Sequence, residues 1–275
     1  MMKIILLFPI LLFVFFTHTV AGIVDTVTIN STSMGKQIKC VVIRPTNYKQ
    51  KNKAFPVVYL LHGFSGDYSN WITRVPELSS YTDLYQLIIV CPDGDYASWY
   101  FDSPVNLRMK YETYIGTEVP KYIDSAYKTL KNRNQRAITG LSMGGHGALF
   151  IAWRHADAFG ACGSISGVMD LKESAHKFYI EKVLGDPLNH SDTWKNYSVL
   201  NLIEKKQLKP LEVTFDCGVD DIFITGNRKV HQKMLLLNIA HDYTERPGIH
   251  SWQYWKNSIQ FHLLFFSKFF KSHVV

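Results

Sequence analysis

Two kinds of hydrophobic run alternate along the chain. Residues 56–61 and 87–91 are continuously apolar, the pattern of strands covered on both faces of a parallel sheet. Further strand-like runs at 136–140, 161–166, 211–216 and 241–246 alternate with longer segments, apolar along one face, that predict helices at 118–130, 145–154, 227–240 and 252–270. Such alternation implies strand–helix–strand crossovers. Ahead of them, residues 23–30 and 38–44 are rich in β-branched side chains and flank a Ser/Gly-containing turn, which predicts a hairpin. The fold class is therefore α/β, with a mostly parallel central sheet, helices on both faces and an N-terminal antiparallel hairpin.

Two stretches fall outside this alternation. Residues 168–210 are polar, mixed in character and without a clear strand; so long an excursion in an α/β domain predicts a lid or insertion over the functional site. Residues 1–21 carry Lys3, an apolar run over 4–16, and the small-residue ending Thr19-Val20-Ala21. The run is shorter than the roughly 20 residues of a spanning helix, so this is a signal peptide cleaved after Ala21, and the mature chain is secreted or periplasmic without stable membrane insertion. The remaining 22–275 suit a single domain, because a chain of 275 residues that is 47% hydrophobic and 19% charged overall can supply one sizeable core.

An exported chain meets oxidising conditions, yet Cys91, Cys162 and Cys217 sit in apolar strand-like runs, where a free thiol acts as a small buried hydrophobe. Disulfides are not expected for them or for Cys40, and no Cys-x-x-Cys spacing suggests a metal. The formal charge of +7 is spread along the chain without a dense basic cluster, so it describes solvated surface and not a nucleic-acid site.

Candidate chemistry centres on Gly140-Leu141-Ser142-Met143-Gly144-Gly145, placed between a strand and a helix. A sharp turn there holds a serine in strained geometry and needs small neighbours, which makes Ser142 the expected nucleophile of an α/β-hydrolase elbow. A hydroxyl attacks only when a base takes its proton, so an acid and then a histidine should follow. Asp216, Asp220 and Asp221 cluster at the end of one strand; Asp216 is read as shaping the turn before Gly218, and spacing leaves Asp220 and Asp221 open. His250 follows the last strand, whereas His231 and His262 lie inside helices and His241 opens a strand. Backbone N–H groups of Met143 and Phe64 are the expected oxyanion donors, with Phe64 following the strand that ends in His62-Gly63. No cofactor or metal is called for.

With these residues in hand, the chain resembles the esterase family that contains esterase D, S-formylglutathione hydrolases, tributyrin-type esterases and many feruloyl esterases. The resemblance rests on Leu60-Leu61-His62-Gly63 with Trp71, Ser98-Trp99-Tyr100 with Asp102-Ser103-Pro104, the Ser142 motif, Cys217-Gly218 through Asp221, and His250 with Trp252. It implies an α/β-hydrolase fold and selects Asp221 as the acid. One departure, His155-Ala156-Asp157 without the family's Pro, lies away from the chemistry. For an exported member the resemblance implies feruloyl or acetyl esters of plant polysaccharides, with a short-chain carboxylesterase as the alternative and S-formylglutathione hydrolysis or acyl transfer further behind. His62, Trp71, Trp99, Tyr100 and Trp252 lie near these motifs and are candidate substrate contacts, with core packing an equal alternative for Trp71 and Trp99 and a structural hydrogen bond the favoured role of His62.

Overall fold

Alternation within each strand divides the side chains of the sheet between two cores. In the computed structural model, which describes residues 22–207 and 209–273, Val57, Tyr59 and Leu61 face one core while Val58 and Leu60 face the other. Ile88 and Val90 oppose Ile89 and Cys91 in the same way. A strand buried on both faces gains roughly 1.5–3 kcal/mol per large aliphatic side chain. That is why these runs carry no polar residues.

Eight strands form one sheet: β1 (Ile23–Ser31), β2 (Lys36–Arg44), β3 (Val57–Leu61), β4 (Ile88–Pro92), β5 (Arg136–Gly140), β6 (Ala161–Ile165), β7 (Glu212–Gly218) and β8 (Asp242–Arg246). Their order is β1-β2-β4-β3-β5-β6-β7-β8. The β1–β2 and β2–β4 pairs are antiparallel and the rest parallel, so the N-terminal hairpin joins the sheet at one edge.

The helices are α1 (Asn70–Arg74), α2 (Leu78–Tyr85), α3 (Tyr111–Thr113), α4 (Val119–Ala126), α5 (Met143–Arg154), α6 (Ile180–Leu184), α7 (Ser191–Tyr197), α8 (Val199–Leu202), α9 (Ile224–Leu236) and α10 (Trp252–Ser272). On one face α5 packs Ala148, Leu149, Phe150 and Ile151; on the other, α10 packs Trp255, Ile259, Leu263 and Phe266. Helices therefore cover both faces. α5 is enclosed from Met143 to Trp153 and is apolar there apart from His146.

Residues 168–210 are less of an excursion than their polarity suggests. They form α6, α7 and α8 and bury Leu171, Ile180, Val183, Leu184, Trp194, Val199 and Leu202 in the core shared with α5. Helices this short show too few turns for periodicity to register in the sequence. The expected signal peptide, residues 1–21, lies outside the described residues. Among the described residues no helix is long and apolar enough to cross a membrane. All four cysteines are buried and unpaired.

Candidate active site

The carboxyl ends of β3, β5, β7 and β8 open onto one place, where ligands bind in open α/β sheets. β5 runs into Ser142, which adopts φ 53° and ψ −117°, a conformation that costs a non-glycine residue on the order of 1–3 kcal/mol. Hydrogen bonds hold it there. Its N–H donates to the Ile165 carbonyl at 2.9 Å, and its carbonyl accepts from the His146 N–H at 3.0 Å. A side chain on Gly144 would lie 2.4 Å from the His62 carbonyl oxygen, so only glycine lets the elbow pack this closely against the end of β3.

The loop after β8 delivers His250, whose Nε2 lies 2.9 Å from the Ser142 hydroxyl oxygen. Its other ring nitrogen, Nδ1, lies 2.9 and 3.1 Å from the two carboxylate oxygens of Asp221. An ionised carboxylate only accepts, so Nδ1 carries the proton and donates, leaving Nε2 free to accept from the serine. Asp221 is buried, and one of its oxygens also accepts from the Phe223 N–H at 2.9 Å. The imidazole is gripped edge-on by Phe223 and Trp255, each with centroids 4.9 Å away. Asp220, by contrast, is exposed and touches this cluster only through its N–H, which donates to the Gly248 carbonyl.

Met143 opens α5, so its N–H has no intrahelical acceptor, and the helix N-terminus favours negative charge above Ser142. Phe64 follows Gly63, where an added side chain would come 3.6 Å from the Ser142 Cβ. Among the described residues neither the Met143 nor the Phe64 N–H donates to a protein acceptor outside helices and strands. Both are available to a developing oxyanion.

Ser142 opens into a cleft of about 620 Å³ walled by Phe64, Asn70, Arg74, Phe178, Trp252 and Trp255 among others. A larger cleft of about 780 Å³, lined by Trp153, Arg154, Lys205 and Lys206, has none of the Ser142 cluster on its walls. The smaller one carries Ser142 and His250 on its wall.

Of the five expected substrate contacts, only Trp252 lines the cleft. The other four lie beneath it: His62 is the structural hydrogen-bonder that the sequence favoured, Trp71 and Trp99 take the core-packing alternative, and Tyr100 as a substrate contact is a correction. His62 is 1% exposed, with Nδ1 donating to the Gly63 carbonyl and Nε2 accepting from the Gly94 N–H; burial pushes its pKa down, so it is a neutral brace for the Phe64 loop. Trp71 is buried and donates from Nε1 to the Leu61 carbonyl. Trp99 is buried and donates to the Phe178 carbonyl, and Tyr100 is buried with its hydroxyl donating to the His62 carbonyl. Each of these aromatics steadies backbone around the cleft instead of lining it. Among the wall residues not foreseen are Asn70 and Arg74 of α1, Phe178, from a segment without periodic signal, and Trp255, three residues after Trp252 and so on the same side of α10.

The sheet order, the elbow and the covering helices define an α/β-hydrolase. The family model described as "Putative esterase" matches residues 31–266, and the chain belongs to that family. It is 28% identical over 217 residues to an acetyl esterase of Caldicellulosiruptor saccharolyticus, covering 74% of this chain and 79% of that protein. It is 32% identical over 184 residues to a diacylglycerol acyltransferase/mycolyltransferase of Mycobacterium leprae, covering 62% of this chain and 53% of that protein. The chain thus spans about half the length of this mycobacterial relative. Among solved structures, a ferulic acid esterase superposes with a TM-score of 0.79 at 28% identity, covering 91% of this chain and 99% of that one.

Proposed function

We propose that the protein is an exported serine carboxylic-ester hydrolase acting on feruloyl or acetyl esters of plant polysaccharides through an acyl-enzyme on Ser142. The observation that carries this reading is the unbroken hydrogen-bond line from the Ser142 hydroxyl through His250 to Asp221. As the serine oxygen attacks the ester carbonyl, its proton passes to His250 Nε2, and Asp221 stabilises the imidazolium formed. The oxyanion is met by the Met143 and Phe64 N–H groups. Collapse breaks the carbonyl–oxygen bond, the alcohol leaves with the proton from His250, and water repeats the sequence on the acyl-serine. Each residue is returned to its starting protonation state.

The carbohydrate-ester assignment draws support from similarity to an acetyl esterase and a ferulic acid esterase, and from the aromatic walls supplied by Phe64, Phe178 and Trp252. Residues 168–210 serve as the wall over the cleft, a role favoured by Phe178, and residues 22–275 act as one catalytic domain after removal of 1–21. The test is a panel of methyl ferulate, acetylated xylo-oligosaccharide, p-nitrophenyl butyrate and S-formylglutathione, with and without an acceptor alcohol. Specificity for the first two supports the reading. Fast butyrate cleavage with no ferulate or sugar-acetate release replaces it with a short-chain carboxylesterase, and acceptor-dependent ester formation replaces it with acyl transfer.

A further inference from the structure

Below the site, on the α10 side of the sheet, lies a carboxylate that the mechanism does not use. Asp216 of β7 is 2% exposed, yet four side chains converge on it. Arg246 of β8 donates from Nη1 at 3.0 Å, the Tyr254 hydroxyl at 3.1 Å and His262 Nε2 at 3.2 Å, and the Ser258 hydroxyl makes a further short contact. Tyr254, Ser258 and His262 are spaced four apart on α10 and form one polar row along an otherwise apolar helix face. His262 extends the row across β6, its Nδ1 lying 2.9 Å from the Thr139 hydroxyl of β5. A side chain on Gly163 would lie 2.5 Å from that nitrogen, so β6 has a glycine where the link passes.

The strands tied in this way carry the three reacting side chains. Thr139 stands three residues before Ser142, Asp216 five before Asp221, and Arg246 four before His250. Burial alone would raise the Asp216 pKa, but His262, Ser258 and Arg246 outweigh it and hold the carboxyl below its ordinary range, so the node is ionised at neutral pH. Directional hydrogen bonds from four side chains to one buried carboxylate tie together the elements that carry them, a role such groups play in some proteins.

We propose that Asp216 is a positioning residue for ester hydrolysis. Through Arg246, His262 and Thr139 it holds the roots of the three loops in register, so that Ser142, His250 and Asp221 stay within proton-transfer distance. The proposal rests on the hydrolase reading above. It differs from simple stabilisation in its kinetic consequence, because a small loss of register slows attack without altering the cleft that binds substrate.

The experiment compares Asp216→Asn, Tyr254→Phe and Ser258→Ala with Ile29→Ala, a core change in β1 that lowers stability far from the site. Each is assayed for kcat and KM on p-nitrophenyl butyrate and for the rate at which a fluorophosphonate labels the serine. Asp216→Asn should lose kcat and labelling rate together, by on the order of a hundredfold, with KM within about twofold of wild type. Tyr254→Phe and Ser258→Ala, which leave the carboxylate its other donors, should lose several-fold, and Ile29→Ala should keep wild-type rates while folded. If Asp216→Asn does not fold, the other two variants decide. Wild-type kcat and labelling in the folded node variants, or an equal loss in Ile29→Ala, overturns the proposal. A wild-type chain that neither cleaves ester nor takes up label defeats the hydrolase reading instead.

Discussion

His250 Nδ1 faces both carboxylate oxygens of Asp221, at 2.9 and 3.1 Å, while Asp220 next in the chain points into solvent. A carboxylate in this position fixes the histidine tautomer and stabilises the imidazolium that forms on attack. Asp221→Asn should therefore lower turnover about ten-thousandfold at neutral pH. Asp220→Asn, whose side chain takes no part, should keep most activity. The two purified variants, assayed side by side on one ester at pH 7, check this; loss in Asp220→Asn with retention in Asp221→Asn exchanges their roles.

The elbow leaves no room for a methyl group at position 144, since the new carbon would meet backbone oxygens of Leu61 and His62 at 2.7 and 2.4 Å. Backbone cannot swing aside as a side chain can. Gly144→Ala is expected to destabilise the fold by about 1–3 kcal/mol and to reduce activity by displacing Ser142. Denaturant unfolding alongside ester turnover measures both effects, and an unchanged midpoint contradicts the packing account.

Aromatics on the cleft wall and aromatics beneath it should separate kinetically. Phe178 lines the cleft, so Phe178→Ala should raise KM for methyl ferulate by roughly three- to tenfold while leaving short acyl esters little changed. Tyr100→Phe removes a buried hydrogen bond to the His62 carbonyl, which should cost about 1 kcal/mol of stability and leave KM alone. Equal KM effects from both variants would contradict the division between wall and support.

His146, buried in α5, donates from Nε2 to the Tyr197 carbonyl at 3.0 Å, and burial lowers its pKa from 6.5 to about 3. Its unfolded form takes up a proton near pH 6.5 and its folded form does not until about pH 3. The unfolded state therefore binds more protons across that window, so this residue makes stability fall as pH drops, by up to about 1.4 kcal/mol per unit. His146→Gln should flatten that slope by up to one proton between pH 6 and 4. Urea unfolding at four pH values in both proteins reads it, and parallel curves would contradict the linkage.

The sheet was legible in the sequence because doubly buried strands must be apolar at every position, as 56–61 and 87–91 are. That Ser142 and His250 would meet could be expected because an elbow demands small neighbours and His250 is the histidine that follows the last strand. Choosing Asp221 over Asp220 needed the family resemblance, since which of two adjacent residues turns inward depends on a loop geometry that spacing does not encode. The same limit applies to Trp71, Trp99 and Tyr100: a motif places an aromatic near the site, but burial beneath it or exposure in the cleft depends on tertiary packing. Asp216 was read as shaping a turn, although its partners Tyr254, Ser258 and His262 recur every fourth residue on a predicted helix. That row is visible in the sequence once it is known which strand the helix covers.

Turnover by Ser142→Ala tests the central claim most directly. Alanine fits the tight turn, so the variant should fold, and without the attacking hydroxyl its kcat on p-nitrophenyl butyrate should fall on the order of a millionfold. A folded Ser142→Ala protein that hydrolyses the ester at near wild-type rate would contradict the account.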